Sequence, residues 1–272
     1  MQTTNYIGVT GVSSVEEVRE VRNIVDRMKT ASLLPQDKKV MLGYLVSQKT
    51  LNDQHTENRR YPLFKDLPAM LEAVGDNIFT MIHYNSREFE TLAEQVSQIF
   101  DFEDIYEKGL CKAFQLNMAW PDPKEIEKIK SSYPEIMFVL SLTKDAISGN
   151  TPAQILEKTE QYHGLADYIL IDPSGGEGKP FDIEQSADIY RALRNNFTKE
   201  RIVFAGGFDP DNISQRLETL IDKLDTTDFS IDAEKGLRIP LSQKYGDDLF
   251  SAEMIEKYLT SAAGDFKKRE KR

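Results

Sequence analysis

The residues of this chain best suited to moving protons or holding a polar ligand fall at the ends of short apolar runs. His83-Tyr84-Asn85 closes one run, Gln115-Leu116-Asn117 a second, Asp172 a third and Asp232 a fourth. Carboxylates and an imidazole are the side chains that most often serve as general acids and bases, and neighbouring amides can orient a substrate. Gathering so many polar groups is unfavourable unless a ligand or internal partners complete their hydrogen bonds. Each residue alone also reads as a satisfied core polar group or a helix cap, so it is their convergence that points to a site.

Two glycine-containing segments add binding groups. Asp172 is followed by Pro-Ser-Gly-Gly-Glu-Gly-Lys-Pro-Phe-Asp, where Gly175, Gly176 and Gly178 allow close backbone approach and Lys179 offers a cation. Gly206-Gly207 follow Ile202-Val203-Phe204-Ala205 and precede a predicted helix, whose first N–H groups suit a phosphate. The catalytic candidates are Asp172, His83 and Asp232. The substrate-binding candidates are Asn85, Gln115, Asn117, Gly175, Gly176 and Lys179, and the phosphate-binding candidates are Gly206 and Gly207. His55, His83 and His163 lack the paired spacing of metal ligands, Cys111 precedes its strand and Ser174 has no histidine partner in sequence, so no metal and no nucleophile motif is expected.

Such segments need a scaffold that brings distant strand ends together. Short β-rich runs at 6–10, 39–46, 78–84, 112–117, 136–142, 167–172, 201–205 and 228–232 alternate with amphipathic stretches at 14–29, 64–74, 86–100, 123–132, 152–162, 183–195, 210–224 and 252–261. That alternation forces a parallel sheet covered by helices. Ser14 with Glu17 reads as a capping box, and Asp122-Pro123, Thr151-Pro152 and Asp209-Pro210 each place a capping side chain before a helix-starting proline. Eight units close into a single (β/α)8 TIM barrel, α/β in class. An open doubly wound sheet is the alternative, disfavoured because no strand leads into a G-x-G-x-x-G turn.

The length of 272 residues suits one domain, with the barrel over 1–265 and a charged tail at 266–272. The stretch 47–60, SQKTLNDQHTENRR, is polar, lacks helical periodicity and reads as a mobile lid or as a disordered insertion. Lys and Arg total 34 against 45 Asp and Glu, and the formal charge of -11 repels a phosphate backbone, so nucleic acid is not expected as a partner. The basic run 267–272 reads as a solvated helix end. A lone cysteine excludes an internal disulfide, the opening MQTTNYIGVTGV lacks the pattern of a signal peptide, and no apolar run is long enough for a membrane span. A cytoplasmic monomer or homodimer with a small-molecule partner is expected.

Read in order, the segments resemble phosphoribosylanthranilate isomerase, a barrel of the tryptophan pathway. Asn5-Tyr6-Ile7-Gly8-Val9-Thr10 is similar to its K-I-C-G-I-T opening, Gly43-Tyr44-Leu45-Val46 to G-F-x-F, Arg59-Arg60-Tyr61-Pro62 to S-P-R-Y and Ile82-His83-Tyr84-Asn85 to V-F-V-N. Gln115-Leu116-Asn117-Met118 resembles Q-L-H-G, Leu170 through Asp182 resembles L-L-D-x-x-x-G-G-x-G-K-x-F-D, and Ala205 through Asn212 resembles A-G-G-L-x-P-x-N. The resemblance implies Asp172 as general acid, Arg60 as a contact for an anthranilate carboxylate and the Gly206-Gly207 amides as phosphate donors, in an Amadori rearrangement without any cofactor.

Two departures matter. Ile7 stands where the family has its general-base cysteine, and isoleucine cannot exchange a proton. At strand eight, Ser230-Ile231-Asp232-Ala233-Glu234-Lys235-Gly236-Leu237-Arg238 replaces a serine-glycine phosphate turn, and its carboxylates repel phosphate unless Lys235 or Arg238 turns inward. That implies a changed ligand bearing hydroxyls or an amine. The H-Y-N, Q-L-N-x-A-W-P and S-I-D-A-E segments also resemble a divergent branch of such barrels. The expectation is an isomerase or lyase acting on a small sugar-derived, phosphorylated metabolite, with Asp172 as acid and His83 or Asp232 in place of the lost base. The alternatives are a non-catalytic metabolite-binding barrel and a glycosidic-bond hydrolase using Asp172 and Asp232.

Overall fold

The computed structural model describes residues 3–54, 56–174 and 178–270. Strands β1 (Asn5–Thr10), β2 (Lys38–Ser47), β3 (Ile78–Asn85), β4 (Ala113–Leu116), β5 (Met137–Leu142), β6 (Tyr168–Ile171), β7 (Arg201–Ala205) and β8 (Ser230–Ala233) pair in parallel and in sequence order. The ring closes where β8 returns to β1, with Ile231 opposite Ile7 and Ala233 opposite Val9. The expected single (β/α)8 barrel is the fold found.

Period-two alternation along the strands divides the apolar side chains between two cores. Tyr6, Met81, Val139, Leu170 and Val203 pack together inside the barrel. Ile7, Val9, Ile82, Leu140 and Ile231 face the other way and join the helices in a larger core. Burial on both faces explains why the strands read as near-continuous apolar runs.

The helices are α1 (Val15–Thr30), α2 (Gln48–Leu51), α3 (Leu67–Glu72), α4 (Leu92–Asp101), α5 (Pro123–Ser132), α6 (Lys144–Ile147), α7 (Pro152–Thr159), α8 (Ile183–Arg194), α9 (Ile213–Leu224) and α10 (Ala252–Glu270). Ser14 caps α1 by accepting from the Glu17 amide at 3.2 Å, but Glu17 returns its carboxylate to Ser13 rather than closing the box on Ser14. Asp122 and Thr151 cap α5 and α7 as expected. At Asp209-Pro210 the expectation fails by three residues, because Asp209 holds a turn and α9 starts only at Ile213. Helix α10 continues past the expected end at 261, and Phe266 is buried, so the basic run begins on the helix itself.

The segment read as a lid or disordered insertion is fastened at both ends. Ser47 and Thr50 form a reciprocal capping box on α2. At the far end the Arg59 amide donates to the Gly246 carbonyl at 2.9 Å. Gly246 belongs to an unforeseen antiparallel hairpin between β8 and α10, whose strands are β9 (Arg238–Pro240) and β10 (Asp248–Phe250).

Candidate active site at the barrel mouth

At the carboxyl ends of the strands the inward positions change from apolar to polar. His83 on β3 stands opposite Gln115 on β4, and Asp232 on β8 stands opposite Ala205 on β7. His83, Gln115, Asn117, Asp172, Gly206, Gly207 and Asp232, all singled out from sequence, line one cavity of about 60 Å³ together with Ser174, Glu234 and Lys235. Convergence of these distant segments is what a closed ring of parallel strands produces.

Missing side chains on β1 and β2 make room for the polar groups. A Cβ on Gly8 would clash with the Asp232 carboxylate, and one on Gly43 would clash with the Thr10 hydroxyl and lie 2.9 Å from His83 Nε2. Into that space the Thr10 hydroxyl donates to Asp232 Oδ1 at 3.0 Å. Burial, opposed by this hydrogen bond and reinforced by Glu234 and Asp172, pushes the Asp232 carboxyl up to about 8. Near neutral pH it is a protonated acid able to give up its proton, and a base once it has done so.

His83 responds to burial in the opposite direction, its pKa falling to about 3, which keeps the imidazole neutral. So weak a base is poorly matched to proton abstraction near neutrality, and of the two groups expected to replace the family's base, Asp232 is the better suited. Ile7, the position matched to the cysteine, packs outward among the helices, while the inward space above Gly8 holds the Asp232 carboxylate. The carboxyl that faces the inner side of β1 is thus contributed by β8. Asp172 is held by Ser174, whose amide and hydroxyl donate to one carboxylate oxygen at 3.1 Å and 2.6 Å.

Arg60, Asn85 and Lys179 are not among the residues that line the cavity. Arg60 is fully buried, with Nε and Nη2 donating to Asp248 Oδ2 at 3.0 Å and 2.5 Å and Nη1 donating to Glu234 at 2.6 Å. Burial favours loss of its proton, but Asp248 and Glu234 outweigh that and hold its pKa above the ordinary value. Arg238 completes the network, donating to Asp248 at 2.6 Å and to the Gly11 carbonyl at 2.7 Å. The cation assigned to a substrate carboxylate is thus committed to the protein's own carboxylates. Asn85 is exposed and pairs with the Tyr61 hydroxyl, Lys179 is exposed, and Gly175 and Gly176 lie outside the described residues.

The expected phosphate position is tightly packed. Gly206 and Gly207 have φ of +111° and +68°, values that favour glycine, and a Cβ on Gly207 would clash with the backbone joining Lys179 to Pro180. The turn before α9 is occupied by a carboxylate of this chain, since Asp209 Oδ1 accepts from the Asp211 and Asn212 amides at 2.9 Å and 2.8 Å. A larger groove of about 770 Å³ lies between the 50–64 segment and the hairpin. Its cations are already paired, Arg59 with Asp247, Arg238 with Asp248 and Lys244 with Glu57, and none of its described lining residues holds a buried side-chain polar atom without a hydrogen-bond partner. Among the described residues, no group of three or more His, Cys, Asp and Glu side chains is placed to hold a metal ion, and no helix is long and apolar enough to cross a membrane.

Thr10, Gly8 and Gly43 enter the sequence reading only within matched motifs, with no role assigned to them. The available signal was the alternation Tyr6-Gly8-Thr10, which puts progressively more polar space on the inward face of an otherwise apolar strand.

No protein-family model matches the sequence, and no curated protein matches it. Among solved structures, the chain is similar to phosphoribosyl anthranilate isomerase from Thermus thermophilus, at 15% identity and a TM-score of 0.57, covering 97% of this chain and 98% of that one. The isomerase from Thermotoga maritima gives 17% and 0.57 over 96% of this chain and 100% of that one. Tryptophan synthase subunit alpha from Legionella pneumophila gives 9% and 0.58 over 98% and 94%. The first two agree with the motif resemblance, and at these identities the likeness establishes the shared barrel fold.

Proposed function

We propose that the protein is an isomerase or lyase that works by general acid–base chemistry on a small sugar-derived metabolite bound at the barrel mouth. The observation that carries the reading is the Asp232 carboxyl, lodged above Gly8, bonded to Thr10 and raised by burial to about 8. Asp172 supplies the second carboxyl on the cavity wall, with Ser174 fixing its orientation. Proton transfer between neighbouring atoms of a carbonyl compound is served by one group that carries the proton and a second that stabilises or protonates the carbonyl oxygen. His83, Gln115 and Asn117 orient the substrate, and no step calls for a cofactor.

The test is turnover of a panel of aldoses, ketoses, their phosphates and ribosyl amines, followed by NMR. For any compound converted, Asp172→Asn and Asp232→Asn each lower kcat by roughly 10²–10⁴-fold. Unchanged turnover in either variant removes that residue from the mechanism. A metabolite-binding barrel without chemistry is the second reading, favoured by Ile7, which cannot exchange a proton, standing where the resembled family has its general-base cysteine. A compound that raises the melting temperature and is never converted supports it.

A further inference from the structure

We infer that the ligand of this mouth is rich in hydrogen-bond donors, a polyol or amino sugar, and carries no phosphate. The inference rests on the acid–base reading and narrows its substrate class.

The first support is a pair of orphaned atoms. His83 and Gln115 are each 5% exposed, both line the cavity, and His83 Nε2 and Gln115 Oε1 have no hydrogen-bond partner. A buried amide oxygen without a partner leaves free energy to be recovered by an O–H or N–H from a ligand. The neutral imidazole carries a single N–H, so it can donate to one ligand atom or accept from another.

The second support is the imbalance of the wall. Asp172, the Gln115 carbonyl and the carbonyl oxygen of the protonated Asp232 carboxyl offer acceptors, Glu234 is shared with Arg60, and Lys235 is the one cation among the described lining residues. Its chain lies against Gly178, and its ammonium stands 5.8 Å from the Tyr245 ring centroid, on the hairpin side. Hydroxyl and ammonium groups complement such a wall, whereas phosphate oxygens only accept and meet the like charge of the Asp172 carboxylate.

The third support is occupancy. The Lys179–Pro180 backbone packs on Gly207, and Asp209 already fills the turn leading to α9. An amide-lined anion seat needs its N–H groups turned towards open space.

The test is isothermal titration of the full chain at pH 7 with matched pairs, ribose against ribose 5-phosphate and glucosamine against glucosamine 6-phosphate, with inorganic phosphate as competitor. The expected result is that the unphosphorylated member of at least one pair binds roughly tenfold or more tighter than its phosphate, as like-charge juxtaposition demands. Inorganic phosphate should not compete. Asp172→Asn, which keeps the shape and removes one charge, narrows the ratio within the pair. Gln115→Leu weakens the unphosphorylated member, with circular dichroism confirming that the variant is folded. Tighter binding of a phosphorylated member, competition by inorganic phosphate, or no binding by either unphosphorylated sugar overturns the inference. Turnover is scored separately, so a phosphorylated compound that is converted through Asp172 and Asp232 refutes the ligand class while leaving the acid–base reading standing.

Discussion

Replacing Asp232 with Asn should flatten the pH dependence of stability. The carboxyl is 7% exposed and raised from 3.8 to about 8 in the folded chain. Its contribution is therefore complete below the unfolded value and is lost as pH rises through the folded one, because the unfolded chain ionises first. At about 1.4 kcal/mol per pKa unit, the wild type should lose on the order of 4 kcal/mol between pH 5 and pH 8 relative to the variant. Asparagine is neutral throughout and keeps an oxygen to accept from Thr10, so it lacks that slope. Urea unfolding of both proteins at pH 5, 6.5 and 8 reads the difference directly, since all other groups titrate in common. Parallel stability curves would refute the reasoning.

Arg60→Met leaves Asp248 and Glu234 without their shared cation, and should cost roughly 3–5 kcal/mol in urea unfolding. Gly43→Ala drives a methyl group into Thr10 and His83 and should cost about 1–3 kcal/mol, part of which returns in the Thr10→Ala background because the clash is shared. Gly207→Ala meets both a φ of +68° and the Lys179–Pro180 backbone, and should lower stability by more than about 1 kcal/mol, whereas Gly149→Ala, with open space around its Cβ, pays only for its own positive φ.

The strands were legible because burial on both faces writes itself as apolar runs, and Arg201–Ala205 has the boundaries expected of it. The hairpin was not legible, since β9 and β10 are three residues each, include Pro240 and expose Ile239 and Leu249. Alternation sufficed to bring His83, Gln115, Asp172 and Asp232 together. Arg60 was misleading for a different reason: its partner Asp248 lies 188 residues away, and nothing local distinguishes an arginine that waits for a ligand from one that is already neutralised. The phosphate turn shows the same limit, because Gly206-Gly207 announces close backbone approach without saying whether a ligand or the chain's own loop does the approaching.

The central claim, a barrel mouth built around a carboxyl that exchanges its proton near neutrality, is tested most directly by a carbon-13 carboxyl NMR titration, with the Asp232 signal assigned by its absence in Asp232→Asn. The expected apparent midpoint is about 8, moving higher in Thr10→Val as the stabilising hydrogen bond is lost. A midpoint in the ordinary aspartate range, near 3.8, would contradict it.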